Sequence, residues 1–119
     1  MNLPEIKIED LLESGVHFGH NVRRWNPKMK EYIYGVRNNI HIFDLRITVE
    51  LLNTALTKIH ETVQKSGKIL FVGTKKQCGD TVKELANINN NFYVNKRWLG
   101  GTLTNWNTIS NSINRFNEI

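Results

Sequence analysis

Lys68-Ile69-Leu70-Phe71-Val72-Gly73-Thr74-Lys75-Lys76-Gln77 opens the stretch that decides the fold, and Phe92-Tyr93-Val94 closes it. The run 68–72 is short, apolar and without period-two alternation, the pattern of a strand buried on both faces. Gly73 ends it. Thr74 and Gln77 stand at capping-box spacing, and Val82, Leu85 and Ile88 continue on one helical face. An asparagine-rich turn leads into Phe92-Tyr93-Val94. The order strand, helix, strand predicts a parallel crossover, and the fold class is therefore α/β.

Working outward, Leu52, Leu56, Ile59 and Val63 recur at helical spacing. They predict a helix over roughly 47–65, capped by Asp44 or Thr48 and closed by Gly67. Tyr32-Ile33-Tyr34 and Ile40-His41-Ile42-Phe43 suit a hairpin, with Arg37-Asn38-Asn39 supplying left-handed turn conformations. Ile8, Leu11 and Leu12 predict a short helix over 7–14, stopped by Gly15. Val16 to Met29 shows no period and reads as a long binding loop. After Gly100-Gly101, Thr102 or Thr104 caps a last helix whose Trp106, Ile109, Ile113 and Phe116 are spaced three, four and three. That stripe finds no partner within the chain and runs to Ile119 without a breaker, so the chain reads as part of something longer.

The 119 residues amount to one domain's worth of polymer. Sixteen Lys and Arg against eleven acids give a formal charge of +5, which favours polyanionic partners. Cys78 is the single cysteine, so no intrachain disulfide forms and the chain reads as intracellular. No stretch has the apolar length of a signal peptide or a bilayer span, and no membrane role is expected.

Arg23-Arg24-Trp25-Asn26-Pro27-Lys28-Met29-Lys30 places four cations beside an aromatic ring, a composition suited to phosphate contacts and to stacking on an unpaired base. A solvated loop with Trp25 tucked into the core is the competing reading. Lys75-Lys76 and Lys96-Arg97-Trp98 each follow a parallel strand, at the carboxyl ends where open α/β sheets place their ligands. Helix starts near Thr74 and Thr102 would add amides that favour phosphate.

Gly73 to Asp80 fails as a nucleotide loop, because Gly79 precedes Asp80 where Lys and then Ser or Thr would be needed. His17 and His20 lack a second paired motif, so local hydrogen bonding is expected of them rather than a metal site. The carboxylates fall mainly at expected helix ends and exposed faces, and no catalytic residue is expected.

The motifs Gly15-Val16-His17-Phe18-Gly19-His20 and Arg24-Trp25-Asn26-Pro27-Lys28-Met29-Lys30 resemble the opening of a family, the second protein of the small ribosomal subunit. Residues 38–45 (NNIHIFDL), 69–77 (ILFVGTKKQ) and 92–105 (FYVNKRWLGGTLTN) are similar to that family's motifs in the same order. The version resembled is the bacterial and organellar one. The resemblance implies a flavodoxin-like three-layer α/β/α domain, incomplete here, with residues 1–103 as its amino-terminal part. Residues 104–119 would begin an inserted antiparallel coiled coil.

The resemblance further implies a structural constituent of the small subunit that contributes to translation by binding ribosomal RNA. Neighbouring ribosomal proteins are implied as partners, among them the large OB-repeat protein that captures messenger RNA, with no cofactor and no small-molecule substrate. Carried over by motif, the RNA-contact candidates are Arg23, Arg24, Trp25, Asn26 and Lys28 in the first loop, with Lys96, Arg97, Thr102 and Thr104 in the second. The expected place is the ribosome of a bacterial cytoplasm, or else that of a mitochondrion or plastid. The alternatives are a nucleotide-binding α/β enzyme module and an inactive fragment.

Overall fold

The computed structural model describes residues 3–119 and shows an α/β chain with helices and both kinds of strand pairing. The chain divides into two compact units, one ending at Lys65 and the other Ser66–Ile119. The first two residues of the expected 1–103 segment lie outside the described residues.

The first unit holds α1 (Ile8–Glu13), β1 (Phe18–Asn21), a 3-10 helix (Pro27–Tyr32), β2 (Ile33–Arg37), β3 (Ile40–Phe43) and α2 (Leu45–Gln64). Its sheet has the order β1-β3-β2 and is antiparallel throughout. The expected hairpin is present, and Asn38 (φ 53°) and Asn39 (φ 62°) make its turn. Two consecutive left-handed residues match the twist of the flanking strands, and asparagine tolerates that conformation. Arg37 is the last strand residue rather than part of the turn.

The expected irregular loop 16–29 is corrected at both ends, since it contains β1 and leads into the 3-10 helix. β1 carries almost no strand signal of its own. It forms because Gly19 lets the chain press against β3: a Cβ there would lie 2.9 Å from the His41 carbonyl oxygen and 3.1 Å from the Phe43 ring. Pairing with a preformed hairpin outweighs a weak local propensity. In β2 the register shifts between Ile33 and Gly35, so Tyr34 and Gly35 together stand opposite Ile42.

α2 begins at Leu45, two residues earlier than expected, because Asp44 rather than Thr48 caps it. The Asp44 carboxylate accepts from the Arg46 backbone N–H at 3.1 Å and from the Arg46 guanidinium at 3.0 and 2.9 Å. The guanidinium hydrogen bond holds the Asp44 carboxyl below the usual carboxylate range. At the other end Ser66 (φ 60°), not Gly67, takes the left-handed conformation that stops the helix. α1 packs on α2, and Leu45 is buried.

The second unit holds β4 (Leu70–Val72), α3 (Gly79–Ile88), β5 (Phe92–Val94) and α4 (Trp106–Glu118). β4 and β5 pair in parallel with Leu70 opposite Phe92, Phe71 opposite Tyr93 and Val72 opposite Val94. The strand, helix, strand order is as expected, with α3 packed on both strands. Burial of β4 on both faces is not found: Leu70 and Val72 are about half exposed, as is Phe92. Parity puts these three on one side of the pair and Phe71 and Tyr93 on the other. One helix covers one face, and the other face stays open.

The expected capping box is absent. α3 starts at Gly79, five residues after Thr74, and Cys78 at its N-cap makes no side-chain cap hydrogen bond. Gly73 explains the delay. It is buried, and a Cβ there would lie 2.5 Å from Val82 Cγ2 and 2.9 Å from Cys78 Sγ. The chain leaves β4 directly beneath α3 and must climb through residues 74–78 before the helix begins. Cys78 is therefore a half-buried residue at the helix start rather than inside it. Similarly, α4 starts after Asn105 with neither Thr102 nor Thr104 at its cap.

Gly19→Ala is expected to destabilise the chain by about 1–3 kcal/mol, the cost of overpacking against rigid backbone. Gly35→Ala, whose added methyl meets nothing within 4 Å, should leave stability within about 0.5 kcal/mol of the parent. Urea unfolding of the three chains distinguishes them. Asp44 has a lowered carboxyl, so its contribution is present above the ordinary value of 3.8 and is lost as pH falls through the lower folded-state value. Asp44→Asn keeps an acceptor for the cap but no charge. Its melting temperature should lie below that of the parent near neutral pH and converge with it as the solution becomes strongly acidic.

Candidate nucleic-acid interfaces

In the first unit the cations gather on the sheet and its loops. Between His17 and Phe43 stand Arg23, Arg24, Lys28, Lys30 and Arg37, against Glu31 as the one acid. All five are exposed. Two asparagines shape the loop that carries four of them. Asn21 Oδ1 accepts from the Arg23 N–H at 3.0 Å, and Asn26 Oδ1 accepts from the Lys28 N–H at 3.0 Å. Each closes a small side-chain turn that directs the following residues outward. Asn26 is also the N-cap of the 3-10 helix, with Pro27 in its first turn. The Val22 N–H donates to the Asn39 carbonyl at 2.9 Å, which ties the loop to the hairpin turn, and the Arg24 N–H donates to the Asn21 carbonyl at 2.9 Å, which closes the loop on itself.

Trp25 is half-buried and stacks on His41, with ring centroids 4.2 Å apart and an interplanar angle of 34°. His41 is buried, and neither of its ring nitrogens has a hydrogen-bond partner. The indole thus anchors the loop from one side. This places the core-packing reading of Trp25 beside the stacking one rather than against it, since the ring retains partial exposure. His17 stacks on Phe18 at 4.1 Å, and His20 is exposed. Among the described residues no three His, Cys, Asp or Glu side chains are grouped to hold a metal ion.

In the second unit the parallel pairing brings the ends of β4 and β5 together. The Gly73 N–H donates to the Val94 carbonyl at 2.9 Å, so the segments 74–76 and 95–97 leave the sheet from neighbouring positions. Lys75, Lys76, Lys96 and Arg97 are all exposed there. The ion pairs among the described residues are Arg46–Asp44 and Lys58–Glu61, so none of these four cations is neutralised. Trp98 is half-buried after the loop.

Thr102 is half-buried and its hydroxyl donates to the Leu99 carbonyl at 2.6 Å, which leaves only its oxygen lone pairs for a ligand. Thr104 is exposed. Gly101, at φ 87°, turns the chain so that the Asn105 N–H returns to its carbonyl at 2.6 Å. The expected helix amides near Thr74 and Thr102 are corrected: the helices start at Gly79 and Trp106, Thr74 lies in irregular chain and Thr102 in a turn.

Sequence reasoning missed an open apolar groove on the first unit's sheet. Phe18 and Tyr34 are 59% and 74% exposed beside a groove of about 600 Å³ that Gly35 and Ile42 also line, with Arg37 at its edge. The signal was present in Tyr34-Gly35, an aromatic next to a glycine in a strand, which marks a bulge.

Comparison with known proteins gives one family. The profile described as ribosomal protein S2 matches residues 11–119. The chain is 57% identical over 119 residues to the small ribosomal subunit protein uS2 of Mesorhizobium japonicum, covering all of this chain and 46% of that protein. It is 59% identical over the same span to the protein of that name from Rhodopseudomonas palustris, covering 36% of it. It is 56% identical to the one from Brucella suis, covering 46%. The chain therefore spans less than half the length of these relatives.

If Asn26 shapes the first loop as the geometry indicates, Asn26→Ala should speed hydrogen exchange at the Lys28 amide while leaving the amides of the β2–β3 hairpin unchanged. Uniformly faster exchange across the unit would instead show that Asn26 supports the whole sheet.

Proposed function

The chain belongs to the ribosomal protein S2 family, and from that premise we propose that it acts as a structural constituent of the small ribosomal subunit that binds ribosomal RNA. Two exposed, unpaired cation groups on ordered loops support this: Arg23, Arg24 and Lys28 in one unit and Lys96 and Arg97 in the other. Charge neutralisation gives the affinity, and loops fixed by Asn21, Asn26 and the parallel strand ends give the shape. Trp25, Asn26, Thr102 and Thr104 contribute contacts through the ring face, the carboxamide and the hydroxyl oxygens that the fold leaves free.

The role involves no catalysis and no cofactor, and its place is the ribosome. The relatives named above are bacterial, which supports a cytoplasmic ribosome over a mitochondrial or plastid one. Residues 1–103 form the amino-terminal part of the family's α/β domain, and 104–119 begin its coiled-coil insertion. The open faces of Leu70, Val72 and Phe92 in the sheet and of Trp106, Ile113 and Phe116 in α4 support that assignment, because apolar surfaces of this kind are ordinarily covered. The groove between Phe18 and Tyr34 is apolar where the loops are charged. It suits a protein neighbour, such as the large OB-repeat protein, better than it suits a phosphate backbone.

The test is co-sedimentation of the chain with small subunits depleted of their own copy of this protein, across a salt series. Association should weaken steeply with salt. Alanine at Arg23, Arg24, Lys96 or Arg97 should lower the log–log salt slope by roughly 0.7–0.9 each. Association that ignores both salt and these substitutions would count against RNA as the ligand.

A further inference from the structure

Lys75 and Lys76 lie outside the two cation groups that the family motif assigns, and Asn95 carries no charge at all. The structure ties the three together. Asn95 is half-buried, and its carboxamide Nδ2 donates to the Gly79 carbonyl at 3.2 Å, sixteen residues away along the chain. Gly79 is the first residue of α3, and a Cβ there would lie 3.6–3.7 Å from Asn95 itself, so the two segments are in van der Waals contact. The hydrogen bond therefore fastens the residue directly before Lys96 and Arg97 to the end of the climb that carries Lys75 and Lys76.

At the opposite end of the strands Asn91 does the matching work, its Oδ1 accepting from the Ile69 N–H at 3.1 Å. Asparagine side chains thus tie the entry of β5 to the start of β4 and its exit to the start of α3, but only the Asn95 end carries four cations. Asp80, the nearest acid in sequence, pairs with none of them. A side chain that holds charged neighbours in register saves the ordering cost that flexible lysines otherwise incur on binding.

We propose that Asn95 is a positioning residue for RNA binding, which by its hydrogen bond to the Gly79 carbonyl holds Lys96 and Arg97 beside Lys75 and Lys76 as one phosphate-binding group. This rests on the ribosomal RNA reading above. The group takes two adjacent phosphates of one RNA backbone, with Asn95 itself touching no nucleotide.

The experiment measures binding of the full chain to depleted small subunits as a function of salt, for the parent, Asn95→Ala, Lys96→Ala/Arg97→Ala and the triple variant. Asn95→Ala leaves the net charge unchanged, so charge alone predicts no effect. The proposal expects binding about tenfold weaker, a salt slope lower by roughly 1–2, and little further loss when Asn95→Ala is added to the double variant. Equal binding of parent and Asn95→Ala, or losses that simply add, would overturn it.

Circular dichroism and melting temperature check that the variant folds. Asn95→Ser, whose hydroxyl is too short to reach the Gly79 carbonyl, serves as the second variant. Loss of the fold in both would make Asn95 a purely structural residue and would also overturn the proposal. A parent chain that does not bind depleted subunits in a salt-sensitive way fails the RNA reading itself, an outcome distinct from a parent that binds and an Asn95→Ala that binds equally well.

Discussion

Both units depend on backbone passing closer than a methyl group permits. Gly19 brings β1 against the central strand β3, and Gly73 lets the chain leave β4 directly beneath α3. In the first unit that approach converts a two-stranded hairpin into a three-stranded sheet with a buried side, on which His41 and Trp25 stack. In the second it forces the five-residue climb that displays Lys75 and Lys76 before α3 can begin. The cation loops are therefore consequences of where the glycines stand. A side chain at either position would move the loop before it affected any charge.

The two units present charge by different physical means. The first uses local asparagine turns and a stacked indole, so its cations are fixed relative to their own sheet by contacts only a few residues apart in sequence. The second uses strand pairing, which sets two distant segments side by side and then fastens them through a carboxamide. Buried apolar area is small in both, with Leu45 and Ala86 as the buried apolar residues among those described. Polar side-chain hydrogen bonds to backbone thus have an unusually large share in defining shape, although each stabilises by only about 1 kcal/mol net.

The elements with a strong period or a distinctive turn were legible in the sequence: the β2–β3 hairpin from its asparagine pair, α2 from its leucine and isoleucine spacing, and β4, α3 and β5 from alternation of apolar runs with a helical face. The strand ends that carry Lys96 and Arg97 were legible from that same alternation, whereas the first cation loop stood out only by its composition and its lack of period. Helix starts were not. Thr74 and Gln77 satisfy a capping pattern, but a cap acts only where the chain is free to turn into a helix, and the contact of Gly73 with Val82 prevents that. β1 was invisible because Phe18-Gly19-His20-Asn21 becomes a strand only through its partner. The burial of β4 was overestimated because an apolar run records what a strand could bury, not how many layers are present to cover it. Asn95 went unnoticed since its role spans sixteen residues and leaves no local pattern.

The strand pairing has a consequence for how such a chain comes into being. The widest pairing in the first unit joins Phe18 to Ile42, a separation of 24, and that in the second joins Leu70 to Phe92, a separation of 22. All the strand pairings among the described residues are local on the scale of the chain. Loop-closure entropy grows slowly with length, so pairings separated by about two dozen residues cost little more to close than a hairpin. The three-stranded sheet that carries the first basic loop therefore draws every one of its pairings from residues 18–43, and none from the segment that carries Lys96 and Arg97.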